Sequence, residues 1–351
     1  MATTLTKVGH RLGVHRVLEP KGVLPQPAWK IDNNMEEIFD NEILLDVIRL
    51  NIDSASFHQI VSEVGKDEEK IKAKMLSIVA ERGKHHNPIT GSGGMLIAKV
   101  EKIGSALEGK IDLKPGDKIA TLVSLSLTPL RIDAVKKVHL DRDQAEIDGK
   151  AILFASGVYA KLPTDMTENL ALSVLDVAGA PAQTARLVKK GDSVVIIGAN
   201  GKSGILCAAV AKEVVGPEGR VIATIRRESA RTDVEAIQMV DDIVLVDATD
   251  AAGMYEKVHA LTNGKMADVV INCVNIENTE MASILACKDR GTVYFFSMAT
   301  SFTKAALGAE GIGHDVDMII GNGYAHDHAN YSLDVIRRYP LVRKLFEERY
   351  A

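Results

Sequence analysis

An apolar strand runs directly into three glycines near the middle of the chain, in the sequence SVVIIGANGKSG at residues 193–204. Gly198, Gly201 and Gly204 follow one another at intervals of three residues. In this position the first glycine permits a sharp turn, the second lets backbone N–H groups approach a phosphate, and the third lets the following helix pack closely on the strand. The pattern therefore predicts a strand, a phosphate-binding loop and a helix that together hold a dinucleotide.

Because three glycines near a strand end also occur at ordinary tight turns, the surrounding residues decide the interpretation. Further strand-like segments, most of them separated by helical patterns, lie at residues 220–225, 242–246, 267–272, 291–297 and 317–321. Strands that alternate with helices are typical of a doubly wound parallel sheet. A charged amphipathic helix interrupted at Pro340 is expected over residues 331–350. This half of the chain is therefore predicted to be an α/β Rossmann domain.

The first half of the chain has a different pattern. Short strand-like runs, separated by Gly, Pro, Asp and Ser, lie at residues 43–50, 95–103, 118–121, 131–139 and 151–154. Their spacing favours a mainly antiparallel domain. Residues 54–82 carry a helical pattern interrupted near Gly65, and residues 170–188 predict a helix that bridges the two halves. The chain thus divides near Pro163.

Composition excludes several classes of protein. The 351 residues carry a net charge of −5, so the chain has no general electrostatic attraction to nucleic acid or to an anionic membrane. No apolar run approaches the roughly 20 residues that span a bilayer, and the first 20 residues lack the apolar core of a secretory signal. Three scattered cysteines suit reduced buried thiols and not a disulfide framework. We therefore expect a cytoplasmic protein.

Several segments in order along the chain resemble the medium-chain dehydrogenase/reductase superfamily. They are the early strand at residues 42–52, the Gly-rich run at 87–94, the strand at 100–104, the turn at 113–119 and the entry to the coenzyme domain at 189–195. The resemblance implies a GroES-like antiparallel catalytic domain at residues 1–163 and a Rossmann domain at 164–315. It also implies that a strand and helix at residues 316–351 return to the catalytic domain.

Two shorter runs, Lys84 to Pro88 and residues 321–328, are similar to one group of dehydrogenases in this superfamily. That resemblance implies oxidative deamination of L-erythro-3,5-diaminohexanoate to 5-amino-3-oxohexanoate in anaerobic lysine fermentation. Hydride transfer to NAD or NADP and release of ammonium would accompany the reaction. Many relatives are dimers or tetramers, so the resemblance also implies a homo-oligomer.

The chain departs from the zinc-dependent members of the superfamily. Where those proteins place Cys, His and Cys or Asp on a catalytic metal, this chain offers Asp53, Ser92 and the neighbourhood of Asp176 and Val177. Serine and valine are poor zinc ligands, so we predict that no zinc is bound. An alternative is that these residues merely fill a site that lost its metal.

An amine substrate explains why the metal is dispensable. Oxidation of an amine produces a positively charged iminium, which a carboxylate stabilises and a metal cation opposes. Asp53 is the first candidate for this carboxylate and Asp176 the second, although Asp53 before Ser54 also fits a helix cap. His85 or His86 would be a general base near neutral pKa for deprotonation of the amine and addition of water. Both histidines also fit an ordinary polar loop.

Substrate-binding residues are less constrained by the pattern. Lys84 and Arg131 are candidates to hold the substrate carboxylate, and Ser92 and Tyr324 are assigned to the same pocket. The second ammonium group of the substrate, at C5, needs an acidic subsite, and the candidates for it are Asp327 and Glu310. Three remaining histidines are interpreted as polar loop residues and not as metal ligands: His314, His326 and His328.

The residues assigned to the cofactor follow from the Rossmann pattern. They comprise the glycine loop, the end of the second strand and two positions after later strands: Gly198, Asn200, Gly201, Lys202, Ser203, Gly204, Arg226, Arg227, Cys273 and Ser297. NAD-binding domains usually carry an acid at the end of the second strand. Here Arg226 and Arg227 stand at that point, which favours the 2′-phosphate of NADP.

Two other functions share much of this pattern. A zinc-free NADPH quinone or enone reductase would have the same fold and cofactor but needs no base for addition of water. A catalytically inactive dinucleotide-binding protein would keep the glycines and lose the metal site. Turnover of 3,5-diaminohexanoate distinguishes these alternatives from the amine dehydrogenase.

Overall fold

A computed structural model describes residues 7–88, 91, 93–321 and 323–350. The chain divides into two units, Met1–Leu162 and Pro163–Ala351. The elements of unit 1 in chain order are β1 Val17–Glu19, β2 Lys30–Ile31, β3 Glu42–Asn51, α1 Ser54–Val64, α2 Glu68–Arg82, β4 Met95–Ile103, β5 Lys118–Thr121, β6 Leu130–His139, β7 Gln144–Phe154 and β8 Tyr159–Lys161.

Unit 1 is built on a six-stranded sheet in the order β6-β7-β3-β4-β5-β8. All of its strand pairs are antiparallel, as the sequence predicts. The long central strand β3 is buried over most of its length, and β1 and β2 form a separate two-stranded ribbon that the sequence pattern does not reveal. Buried residues of α2, including Ile71 and Met75, join the core of this sheet.

The two helices of unit 1 have clear sequence signals. Asp53 caps α1, and Asp67 caps α2 by accepting hydrogen bonds from the N–H groups of Glu69 and Lys70 at 3.0 and 3.2 Å. Gly65 ends α1 and Gly83 ends α2 at positive φ, where glycine has no Cβ to clash. The predicted interruption near Gly65 is therefore confirmed, and the segment forms two helices.

Unit 2 contains the remaining helices and strands. In chain order they are α3 Glu168–Leu175, α4 Gly179–Leu187, β9 Ser193–Ile197, α5 Lys202–Val215, β10 Arg220–Ile225, α6 Arg231–Ala236, β11 Asp242–Leu245, α7 Ala251–Leu261, β12 Ala267–Asn272, α8 Glu280–Ala286, β13 Cys287–Phe295, α9 Phe302–Ile312, β14 Asp317–Ile320, α10 His328–Arg338 and α11 Pro340–Tyr350.

The sheet of unit 2 has six parallel strands in the order β11-β10-β9-β12-β13-β14. This order is that of a complete Rossmann sheet, whose direction of winding reverses beside the first strand. Val194 to Ile197 of β9 are all fully buried because both faces of the sheet are covered. The predicted α/β class, with one antiparallel and one parallel domain, is confirmed.

Two details of the sequence prediction are wrong for identifiable reasons. The single helix expected over residues 170–188 is two helices, because Pro181 has no N–H with which to continue a helix from the preceding turn. Gly179 also begins α4 so close to Gly323 that an added Cβ would lie 2.4 Å from its carbonyl oxygen. At the C terminus, β14 extends the parallel sheet, while α10 and α11 contact α3 and α5, so the structure places residues 317–350 in unit 2. The sequence instead predicts that they return to the first domain.

Candidate active site

The glycine loop after β9 has the geometry that the spacing predicts. Gly198 adopts φ +80°, which only glycine tolerates easily. A Cβ on Gly204 would lie 2.3 Å from the carbonyl oxygen of Gly198, so this glycine permits the close contact between helix and loop. Gly201 has only one neighbouring atom, 3.6 Å from an added Cβ, and so leaves open space over the loop.

The N-terminus of α5 fits an anionic group. No side chain caps this 14-residue helix, so the N–H groups of its first turn, at Lys202, Ser203 and Gly204, have no partner within the helix. Free N–H groups and the positive end of the helix dipole favour a phosphate. Together with the open space over Gly201, they satisfy the requirements of a dinucleotide pyrophosphate.

A cavity of about 180 Å³ lies at the ends of β9, β10 and β11 and continues from the glycine loop. Its lining includes Gly198, Asn200, Arg226, Arg227 and Asp247. Both arginines are exposed. Hydrogen bonds from Thr249 are the main cause that lowers the pKa of Asp247, and the charge of Arg226 is a smaller cause. The cavity therefore presents two guanidinium groups where the ribose of a dinucleotide is expected.

Glu228, the acid that follows these arginines, is engaged elsewhere. Its carboxylate forms an ion pair with Arg231, whose guanidinium lowers the pKa of Glu228. Glu228 is also outside the set of residues that line the cavity. The sequence-based choice of the arginines as cofactor residues is therefore consistent with this local geometry.

Two cations from separate elements meet beside the glycine loop. Lys202 forms an ion pair with Asp176 at 3.2 Å and lies 5.3 Å from the ring centre of Tyr350. Arg349, near the end of α11, donates to the carbonyl oxygen of Asn200 at 2.9 Å. Asp176, the second candidate for the catalytic carboxylate, thus lies at the end of α3 and forms an ion pair with Lys202.

The two predicted cofactor residues after later strands lie at the same edge of the sheet. The Sγ of Cys273, just after β12, is 4.0 Å from the Sγ of Cys207 on α5. Burial raises the pKa of the Cys207 thiol well above its usual range, so that thiol stays protonated. Ser297, just after β13, accepts a hydrogen bond from the N–H of Ala299 at 3.1 Å.

In unit 1, Asp53 is the N-cap of α1. Its carboxylate accepts hydrogen bonds from the N–H of Ser56 at 3.0 Å and from the Oγ of Ser56 at 2.5 Å. The alternative that the sequence left open, a helix cap, is therefore present in the structure. A carboxylate that caps a helix can also stabilise a positive charge on a substrate, so the two roles are compatible.

Lys84 has a different environment from the one expected of a surface anchor. The side chain is fully buried, and its ammonium donates to the carbonyl oxygens of Pro25 and Gln26 at 2.7 and 2.9 Å. Burial, followed by the charge of Arg82, lowers its pKa to about 8. Because these carbonyl groups already occupy the ammonium, Lys84 serves to tie two loops together and is not well placed to bind a carboxylate.

His85 and His86 follow in the same loop and are also buried. In the described part of the chain, neither ring nitrogen of His85 has a hydrogen-bond partner, and the Nδ1 of His86 has none. Burial lowers the pKa of each imidazole to about 4; for His85 the nearby carboxylate of Asp53 opposes the shift. Both rings are therefore neutral near pH 7, and neither has the near-neutral pKa that the sequence argument assigned to a general base.

These histidines line a cavity of about 90 Å³ between α1 and α2, which we call the α1–α2 cavity. Ser56, the partner of Asp53, also lines it, as does Arg82 at the end of α2. Arg82 donates to the carbonyl oxygen of His86 at 2.6 Å and stacks over the ring of Trp29. Sequence analysis missed Arg82 and this cavity, because the cavity is formed by side chains from three separate segments.

The other described substrate candidates have local partners within their own units. Arg131 forms ion pairs with Glu36 at 3.3 Å and Asp133 at 3.0 Å, so its charge is already balanced. Tyr324 is half exposed and lies edge-on to the ring of His328. Ser92 lies outside the described residues.

Two of the candidates in the C-terminal region, Asp327 and His314, have local partners. Asp327 accepts a hydrogen bond from Asn330 at 2.7 Å, and Glu310 is exposed on α9. His314 lies 3.0 Å from the carbonyl oxygen of Cys287. Over the described ranges, no group of three or more His, Cys, Asp or Glu side chains is arranged to hold a metal ion. The same residues include no helix that is both long and apolar enough to cross a membrane.

Comparison with known proteins gives matches over almost the whole chain. The family described as L-erythro-3,5-diaminohexanoate dehydrogenase N-terminal domain matches residues 15–163. The L-erythro-3,5-diaminohexanoate dehydrogenase of Acetoanaerobium sticklandii is 62% identical over 342 residues, which are 97% of this chain and 99% of the relative. The protein of the same name from Fusobacterium nucleatum is 59% identical over 98% of this chain and 99% of its own length.

Solved structures show the same fold at low sequence identity. Mycobacterial Rv1454c complexed with NADPH covers 92% of this chain and 93% of its own with a TM-score of 0.57 at 16% identity. Escherichia coli quinone oxidoreductase complexed with NADPH covers 90% of this chain and 84% of its own with a TM-score of 0.52 at 14% identity. These similarities confirm the fold that the ordered motifs predict.

Proposed function

The chain belongs to the L-erythro-3,5-diaminohexanoate dehydrogenase family, and we propose that it catalyses the reaction named by that family. The reaction oxidises the C3 amine of 3,5-diaminohexanoate to the ketone of 5-amino-3-oxohexanoate. One water is consumed, and ammonium, a proton and the reduced cofactor are released. The observation that carries this proposal is 62% identity over 97% of the chain, together with a glycine loop that fits a dinucleotide. We place the activity in lysine fermentation.

The residues of the chain have distinct roles in this proposal. When bound, the nicotinamide of the cofactor accepts the hydride from C3. The N-terminus of α5 and the glycine loop bind and orient the pyrophosphate. Asp53, which aligns with a metal-binding position of the superfamily, stabilises the positive charge that develops at C3 and nitrogen. The His85–His86 pair accepts the proton of the substrate ammonium and assists the addition of water; since burial holds the pKa of both imidazoles at about 4, this role requires that the bound substrate and the carboxylate of Asp53 raise that pKa.

NADP is the proposed cofactor, in preference to NAD. Arg226 and Arg227 line the cavity next to the glycine loop, and Glu228 is paired with Arg231. Guanidinium groups bind a phosphate through charged, paired hydrogen bonds, whereas an NAD site usually offers a carboxylate to the ribose hydroxyls.

We also propose a cytoplasmic homo-oligomer that works without zinc. Three free cysteines suit a reducing compartment. Met318 and Ile320 on β14 are 36% and 56% exposed, and β14 is the last strand in the described sheet order. An edge strand with exposed apolar side chains favours contact with another copy of the chain.

The purified protein with L-erythro-3,5-diaminohexanoate and either oxidised cofactor tests the main proposal. We expect reduced nicotinamide and ammonium to form in equal amounts. Oxidation of the cofactor by quinones or enones, without turnover of the diamino acid, would instead assign the chain to the reductases. Cofactor binding without turnover of either substrate class would assign it to the inactive dinucleotide-binding proteins.

A further inference from the structure

The α1–α2 cavity contains buried hydrogen-bonding atoms that the protein itself does not satisfy. In the described residues these are the Nε of Arg82, both ring nitrogens of His85 and the Nδ1 of His86. Buried polar atoms without partners are rare in folded proteins, because each one costs the free energy of its lost hydration. His85 is 1% exposed and lines the cavity, so its ring adjoins the empty space.

Two cations near this cavity, Arg82 and Lys84, are held mainly by backbone groups. Arg82 and Lys84 make their hydrogen bonds to backbone carbonyl groups, and the structure shows no ion pair between either side chain and a described carboxylate. Burial is the main cause that lowers the pKa of both groups, which shows that their charge is poorly solvated. Lys74, a third cation of the lining, is already paired with Glu63 at 2.5 Å. Exposed Glu81 also lines the cavity, and its charge partly opposes the lowering of the Arg82 pKa. An anion in the cavity would complement Arg82 and Lys84 further.

The cavity lies next to the carboxylate that we place at the reacting carbon. Ser56 lines the cavity and at the same time holds Asp53 through its hydroxyl group. In 3,5-diaminohexanoate the C1 carboxyl group is two bonds from C3. A substrate whose C3 lies at Asp53 therefore has its carboxylate within a short distance of the cavity, and 90 Å³ has room for such a small group.

Resting on the function proposed above, we infer that Arg82 and His85 form the subsite for the substrate carboxylate. The guanidinium supplies the charge and the Nε hydrogen bond, and the neutral imidazole donates a second hydrogen bond. Lys84, whose charge also lowers the pKa of His86, adds positive charge nearby while it holds the loop. His86 is then the imidazole that takes part in proton transfer. This subsite selects 3-amino acids over amines that lack a carboxylate.

Steady-state kinetics on two substrates tests the inference. The substrates are 3,5-diaminohexanoate and its C1 amide, which keeps the size and both ammonium groups but has no negative charge. We expect Arg82→Gln to raise KM for the acid by on the order of 10- to 100-fold, because a hydrogen bond to a charged group is lost. KM for the amide should change little. Arg82→Lys, which keeps the charge, should recover part of the loss.

Arg142→Gln is the matched control, because Arg142 is an exposed arginine of the same unit that is paired with Asp141 and does not line the cavity. It should leave both KM values unchanged. Thermal melting of each variant shows whether unit 1 still folds. Equal effects of Arg82→Gln on the acid and the amide, in a folded protein, would overturn the inference.

Glu81 provides the opposite test, since its carboxylate also lines the cavity. If Glu81→Gln raises KM for both substrates while Arg82→Gln raises neither, the cavity holds an ammonium group and the carboxylate assignment is wrong. Failure of the wild-type protein to oxidise 3,5-diaminohexanoate would contradict the proposed function itself, which is a separate result.

Discussion

Asp53 combines a structural role with the charge that the proposed reaction requires. It caps α1 through the N–H and hydroxyl groups of Ser56. Asparagine is as good a helix N-cap as aspartate, so a change to asparagine removes the charge and largely preserves the cap. The two roles can therefore be separated experimentally.

We expect Asp53→Asn to lower kcat by on the order of 100-fold or more, because the developing iminium loses its stabilising carboxylate. The melting temperature and the cofactor affinity should stay close to those of the wild type. Asp67→Asn is the matched control, since Asp67 caps α2 in the same manner and lies outside the α1–α2 cavity. Near-wild-type turnover of Asp53→Asn across the pH range would leave Asp53 as a helix cap alone.

His85 should make the ligand-free protein less stable than a variant with an apolar residue at this position. Its two ring nitrogens are buried without a described partner, so replacement by an apolar residue of similar size removes an unsatisfied group. We expect His85→Leu to raise the free energy of unfolding by about 1–3 kcal/mol at pH 7 while it impairs activity. Denaturant unfolding without ligands measures this effect, and exposed His58→Leu is the control. A loss of stability in His85→Leu would contradict this prediction.

The pH dependence of unfolding provides a second signature of His85. Its pKa falls from 6.5 in an exposed state to about 4 in the folded protein, so the unfolded chain binds the extra proton first as the pH is lowered. Stability should therefore decrease between about pH 6.5 and pH 4, by up to about 3 kcal/mol from this group. His85→Leu should remove that part of the decrease. An unchanged pH profile in the variant would show that His85 is not held neutral by burial.

At the scale of elements, sequence pattern determined most of unit 2. The segments at 220–225 and 267–272 coincide with β10 and β12, because short, mainly apolar runs rich in Val and Ile favour buried strands. The short β1 and β2 carry no such run. At the start of α4, Gly179 lies against the carbonyl oxygen of Gly323, 144 positions later in the chain. A contact of that kind is invisible to a local pattern, and so is the lining of the α1–α2 cavity.

The segment after β10 determines the choice of cofactor in our proposal. We expect the double change Arg226→Ala and Arg227→Ala to weaken NADP binding by on the order of 10- to 100-fold and NAD binding much less, because only NADP carries the 2′-phosphate. Fluorescence titration of each cofactor measures the two affinities. Arg290→Ala, at an exposed arginine of the same unit, is the control. Equal losses of affinity for NADP and NAD would show that Arg226 and Arg227 do not bind the 2′-phosphate.

For the molecule as a whole, the exposed edge of the parallel sheet bears on assembly. Ile320 on β14 is 56% exposed, and a charged residue there should oppose pairing with a second copy. We expect Ile320→Lys to shift the sedimentation of the protein toward the monomer. The control is Lys344→Ala, at an exposed residue of α11, which should not change the sedimentation. A wild-type protein that sediments as a monomer at high concentration would contradict the proposed assembly.

Metal dependence is also a property of the whole enzyme. The motif resemblance places Asp53, Ser92 and Val177 where zinc-dependent members of the superfamily hold ligands, and serine and valine are poor donors for zinc. Prolonged chelation should therefore leave turnover unchanged, and elemental analysis should find no stoichiometric zinc. Zinc in a one-to-one ratio whose removal abolishes turnover would overturn the prediction.

The place of β9 in the sheet affects how the protein is made. β9 is the first strand of unit 2 to leave the ribosome, yet it lies inside the sheet between β10 and β12. The backbone N–H of Ser193 on β9 donates a hydrogen bond to the carboxylate of Asp268 on β12, and Asp268 is synthesised 75 residues later. At about 5–20 residues per second, translation of that stretch takes roughly 4–15 s. During that time one edge of β9, in which Val194 to Ile197 are all apolar, has no partner, and such an unpaired edge is a site at which aggregation begins.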